Sequence, residues 1–217
     1  MLEISTCKSK WIWSMIFVRI PKNASTSMYS HLGDFNLIKK YENNFNELLK
    51  NKVYKGWFSP THAKPNDIAK VLGGAVRNYM SFAIVRNPYD RMVSMYRFAV
   101  ENDLGKLYNL KSDISFLEFC EILNDKYSNN DKSFIATHSQ TEWTEGIFQP
   151  NFILKFENLQ EDFSKMLDEC NIKHISKSIP HQNATKRSAY QDYFNNSCKK
   201  LTSKIFEKDL DTFKYSY

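Results

Sequence analysis

Cysteine, glycine and proline are scarce in this chain, and no apolar stretch is long. The four cysteines among 217 residues, Cys7, Cys120, Cys170 and Cys198, stand far apart with no Cys-x-x-Cys pair. That spacing excludes a small disulfide-stapled scaffold and offers no zinc site, so buried or free thiols are expected. With six glycines and six prolines there is no Pro-rich linker, and neither a repeat nor a low-complexity tract appears. A composition that is 42% hydrophobic and 15% aromatic supplies one sizeable core and is short for two, so a single domain over residues 1–217 is expected. Trp11 to Val18 is apolar and follows Lys8 and Lys10 in the manner of a signal peptide. It is too short to span a bilayer and runs into Arg19 without a small-residue cleavage site, so it reads as a strand.

Positive charge is what the chain has in excess. A net charge of +6 and a pI near 9.0 suit an anionic partner, and charge alone leaves nucleotide, acidic glycan, nucleic acid and membrane surface open.

The most informative stretch is Ile16 to Leu32, IFVRIPKNASTSMYSHL. Ile16, Phe17, Val18 and Ile20 form a run suited to a buried parallel strand, and Met28, Tyr29 and Leu32 recur at helical spacing. Between them, Lys22, Asn23, Ala24, Ser25, Thr26 and Ser27 bring backbone amides, hydroxyls and an ammonium to a helix N-terminus, where a phosphate or sulfate is favoured. The triphosphate-binding pattern GxxxxGK[ST] is not met, since neither glycine is there and the lysine opens the loop. Of three Asn-x-Ser/Thr sequons, at Asn23, Asn183 and Asn195, the first lies in this loop, where a glycan would block it. A cytoplasmic location is therefore expected.

A second unit of the same kind follows. Met80 to Val85 reads as a strand that delivers Arg86-Asn87-Pro88-Tyr89-Asp90-Arg91-Met92-Val93-Ser94. Asn87 is suited to cap a helix and Pro88 to start it, which holds Arg86 at the strand end and puts Ser94 two turns into the helix. Asp90 and Arg91 are expected to be helix-surface or fold-stabilising charges. Val53 to Phe58 looks like a further strand with His62 just past its end, and Asn151 to Phe156 like the last core strand. Ser115-Phe116-Leu117-Glu118 is a capping box opening a helix to about Leu123, followed by a polar loop from Asn124 to Ser133. The alternation predicts an α/β, P-loop-like three-layer sandwich with a central, mainly parallel sheet flanked by helices.

Pro-Lys-x-Ala-Ser-Thr-Ser after a strand, paired with RNPYDRMVS after another, resembles the PAPS-dependent carbohydrate sulfotransferases of Golgi type, among them the heparan sulfate 2-O-sulfotransferases. The resemblance implies transfer of a sulfuryl group from 3′-phosphoadenylyl sulfate (PAPS) to an acceptor hydroxyl on a glycan, releasing adenosine 3′,5′-bisphosphate (PAP). It implies that Lys22 to Ser27 hold the 5′-phosphosulfate, with Lys22 stabilising the leaving phosphate. Arg86 and Ser94 would grip the 3′-phosphate, and His62 would be the general base, its ordinary pKa near neutrality suiting it to that role. Lys186 or Arg187, in a basic segment near the C-terminal end, would fold over the donor. His138-Ser139-Gln140-Thr141-Glu142-Trp143 corresponds to a segment where acceptor contacts arise in the family, while packing is the expected role of His138 and Trp143 themselves. No metal and no nucleic-acid partner are expected. The competing classes are a P-loop nucleotide kinase, which would need magnesium ligands and Walker glycines, and a non-catalytic basic module that binds nucleotide or nucleic acid.

Overall fold

Met15–Val18 and Met80–Val85 are almost continuously apolar, without an alternating polar face, so each strand must be covered on both sides. A computed structural model describes residues 14–49, 62–101, 110, 113–131, 133–180 and 188–217. In it β1 (Met15–Val18), β2 (Met80–Val85) and β3 (Phe152–Lys155) form a parallel sheet in the order β1-β2-β3. The register sets Phe17 opposite Phe82 and Phe82 opposite Phe152, and the rings of Phe17 and Phe82 stack at 4.9 Å.

Period-two alternation sends neighbouring residues to opposite layers. Met15, Phe17, Phe82, Ile84 and Leu154 pack on Met28 and Leu32 of α1 (Ser25–Leu32), with helix Leu159–Glu169 adding Phe163 and Met166. On the other face Ile16, Val18, Ala83 and Val85 meet Leu37 and Ile38 of α2 (Leu37–Lys40), Ile68 and Trp143. The chain continues through α3 (Glu42–Leu49) and α4 (Pro65–Leu72), to which Ile68 belongs. After β2 come α5 (Pro88–Glu101), α6 (Phe116–Ser128) and the short α7 (Thr141–Thr144), which carries Trp143. Beyond β3 lie α8, the helix Leu159–Glu169 already met, then α9 (Asn196–Ile205) and α10 (Glu207–Phe213). A third cluster joins α5, α6 and α9 through Met92, Met95, Phe119, Cys120 and Cys198. The three-layer α/β architecture is thus the one the sequence predicts, and Cys120, Cys170 and Cys198 are free thiols.

Local punctuation works as its chemistry suggests. Pro65 opens α4, Gly73 closes it at φ 59°, and Ser115 with Glu118 forms the capping box of α6. That helix runs on to Ser128 where a loop from Asn124 is expected, and Lys204 of α9 reaches Asn124 Oδ1 at 3.0 Å and Ser128 Oγ at 3.1 Å along the extension. The strand expected at Val53 to Phe58 lies outside the described residues, as do Lys186, Arg187 and Asn183. Among the described residues no helix is long and apolar enough to cross a membrane.

Candidate active site

Because the strands are parallel, their C-terminal ends gather on one edge of the sheet, where α/β proteins collect reactive groups. From β1 the chain passes through Arg19 and Ile20 into the turn that precedes α1. Lys22 and Ala24 are left-handed, at φ 69° and 54°, with Asn23 between them outside that region. Alternating hand of this kind turns successive N–H groups to one side and makes a concavity for an anion. Glycine would adopt these angles without strain, whereas lysine and alanine each give up about 1 kcal/mol or more. Ala24 is the N-cap of α1 and makes no side-chain cap bond. Thr26 is exposed, while Ser25 and Ser27 are largely turned in.

The side chain of Asn23 does not face a ligand. It is fully buried, and its Nδ2 donates to Ile84 O at 2.7 Å and to Gln140 Oε1 at 2.6 Å. Only its backbone remains for the donor role expected of it, and a glycan could not be attached to it in the folded chain. Lys22 Nζ sits 3.8 Å above the Phe98 ring. Burial, then the neighbouring Arg86 charge, lowers its pKa to about 8 against an opposing effect of Glu101.

At the end of β2, Asn87 Oδ1 accepts from Tyr89 N at 3.0 Å and Pro88 begins α5, which holds Arg86 in place. Arg86 Nη1 donates to Lys22 O at 2.9 Å, so the two predicted anion anchors touch. Arg86 Nε and Nη2 both lie 2.7 Å from Asp90 Oδ2, and its guanidinium stacks 4.0 Å from the Phe156 ring. Asp90 is therefore the internal partner of Arg86. Arg91, Ser94, Phe98 and Glu101 follow at three- and four-residue spacing and share one face of α5. Arg91 on that face reaches Pro21 O at 3.2 Å and Phe98 underlies Lys22, which brackets the half-buried Ser94 beside the loop.

His62 is nearly buried and pinned twice. Its Nδ1 lies 2.8 Å from Arg19 O, and its carbonyl accepts from Trp143 Nε1 at 2.9 Å. A carbonyl only accepts, so Nδ1 carries the proton and Nε2 holds the lone pair a base needs. Burial, with the charges of Arg19, Lys22 and Arg91, lowers its pKa to about 3 although the bond to Arg19 O opposes this. His62 thus stays neutral far below its ordinary range.

A model of the sulfotransferase family matches residues 13–216, nearly the whole chain. The chain belongs to the sulfotransferase family. No curated protein and no solved structure matches it.

In this sulfotransferase several polar residues outside the two loops brace the site, and Arg91 takes the fold-stabilising one of the two roles expected of it. Arg91, fully buried, uses Nε on Pro21 O and Nη1 on His138 O at 3.0 Å, which makes it a brace under the loop and no surface charge. Glu157 Oε1 accepts from Asn87 N at 2.7 Å and its Oε2 from Tyr215 OH at 2.8 Å. His138 Nδ1 lies 3.0 Å from Glu142 Oε2 and 2.8 Å from Lys64 Nζ. Burial would raise the Glu142 carboxyl, yet the His138 bond and the Lys64 charge bring it down to about 2. Lys64 and Glu142 also line a cleft of about 560 Å³ with Asn66, Lys70, Glu145 and Lys208. Among the described residues no group of three or more His, Cys, Asp or Glu side chains is arranged to hold a metal ion.

Proposed function

We propose that this sulfotransferase moves the sulfuryl group of PAPS to an acceptor hydroxyl, on a carbohydrate, by in-line displacement. The observation that supports the proposal most is the bond from Arg86 Nη1 to the Lys22 backbone O, at 2.9 Å, which brings two cation-bearing strand ends together as a donor with two anionic ends would need. The acceptor oxygen forms a bond to sulfur as the bond from sulfur to the bridging phosphate oxygen breaks. The acceptor proton passes to His62 Nε2, and PAP leaves with the bridging charge facing Lys22. Charge builds on that bridging oxygen in a loose transition state, where a fixed ammonium in a dry site counts most. Backbone amides from Lys22 to Ser27 and the Thr26 hydroxyl hold the 5′-phosphate, and Arg86 with Ser94 holds the 3′-phosphate. Lys186 or Arg187, outside the described residues, is assigned to the donor phosphates from the family resemblance alone.

Transfer of label from PAPS, screened over glycans and small hydroxyl compounds, tests the reaction. Product should form in the presence of a chelator; strict dependence on added magnesium would favour a kinase-like reaction. The pH profile carries a second expectation. A lysine with a pKa of about 8 loses its charge as pH rises through that value, so kcat/KM for the donor should fall on the alkaline side with a midpoint near there. A profile flat to pH 10 would contradict the assignment of Lys22.

A further inference from the structure

We infer that Gln140 is a positioning residue that sets the two anion anchors against each other. It is fully buried at the turn that opens α7, and its amide makes three bonds, each to one of the two site loops. Oε1 accepts from Asn23 Nδ2 at 2.6 Å and from Arg86 N at 2.9 Å, while Nε2 donates to Arg86 O at 2.9 Å. Both backbone groups of Arg86 are thereby held by one side chain, and the same oxygen holds the Lys22 loop through Asn23.

Gln140 is itself fixed from behind. Its backbone N–H donates to Asp209 Oδ2 at 2.9 Å; Asp209, fully buried on α10, also accepts from Thr141 N at 3.1 Å and from Ser139 Oγ. Arg91 ties the same segment to the loop through His138 O and Pro21 O. A buried amide that serves only as core filling would spread its bonds over its surroundings, whereas this one spends them on the residues flanking the anion site. Removing it leaves the Arg86 N–H and C=O and the Asn23 amide short of partners, which lets the two loops drift apart.

The consequences for ligands rest on the PAPS site proposed above; the consequences for loop motion do not. In Gln140→Ala the preference for PAP over AMP should fall by about tenfold or more, because the two phosphates are no longer met at once. Hydrogen exchange in unliganded protein should quicken in peptides covering residues 20–28 and 84–92, with α6 and α9 unchanged. Gln140→Glu keeps an oxygen toward Asn23 and Arg86 N but loses the donor to Arg86 O, so it should fall between wild type and Gln140→Ala, and it serves if the alanine variant does not fold. Faster exchange throughout the chain, or unchanged exchange in both loops, would overturn the inference. So would a PAP preference retained in full by a variant whose loops have loosened. If wild type shows no preference for PAP, the donor proposal fails, and the exchange pattern alone decides on Gln140.

Discussion

Lys22→Ala should lower turnover on the order of a hundredfold or more while changing PAP affinity only a few fold. In the proposed reaction the ammonium would meet little extra negative charge in the bound donor and most of the bridging charge as the bond to sulfur breaks. Its surroundings strengthen this effect: the group is desolvated enough to lower its pKa to about 8 and is held 3.8 Å over Phe98, so its field is screened less than that of a lysine in water. Lys22→Arg keeps the charge on a differently shaped head and should recover only part of the rate. Single-turnover kinetics with labelled PAPS, paired with calorimetry on PAP, separates the two quantities. Unchanged turnover in Lys22→Ala would remove the lysine from the chemistry.

His62→Ala should bind donor and product normally and lose roughly a hundredfold in rate on a true acceptor. Nδ1 is committed to Arg19 O, which leaves Nε2 to take the proton. From its ordinary pKa a base of this kind would titrate near neutrality and its rate would fall there. The structure moves that limb, because burial and three neighbouring cations bring the pKa to about 3. The rate of the folded enzyme should therefore be flat from about pH 7 down to about pH 5. Stability follows a different course, since a histidine lowered in the fold takes up its proton first in the unfolded chain, so its contribution is complete above about pH 6.5 and is lost as pH falls from there toward 3. Circular dichroism at each pH distinguishes acid unfolding from titration of the base. A near-normal rate in His62→Ala would assign the proton to another group.

Much of this site is legible along the chain because its chemistry is local. A strand end, a turn and a helix start are contiguous, so the loops Lys22 to Ser27 and Arg86 to Ser94 are visible in the sequence as units, while the roles proposed for them come from the family resemblance. Residues that reach the site across the fold leave no such mark. Gln140 lies 117 positions from the asparagine it binds, and Asp209 lies 69 from Gln140. Asp90 reads as a helix charge because i+4 spacing is common on surfaces, and only the strand end that aims Arg86 back along α5 makes the two meet. The direction of Asn23 is likewise invisible locally, since its partners belong to β2 and to the turn before α7.

Calorimetry of PAP against AMP on wild type and on variants at Arg86 tests the proposed donor site most directly. A 3′-phosphate distinguishes PAPS from ATP and adenylyl sulfate, and a charge-assisted contact to it is worth roughly 1.5–3 kcal/mol, about ten- to a hundredfold in affinity. Because Arg86→Ala alone would remove the guanidinium that faces the Asp90 carboxylate, Arg86→Ala/Asp90→Asn is the better-balanced variant. Wild type should bind PAP at least about tenfold more tightly than AMP, the double variant should lose most of this preference with AMP binding nearly unchanged, and Arg86→Lys should recover part of it. Equal binding of the two ligands by wild type, or a full preference kept by the folded double variant, would contradict the proposed donor site.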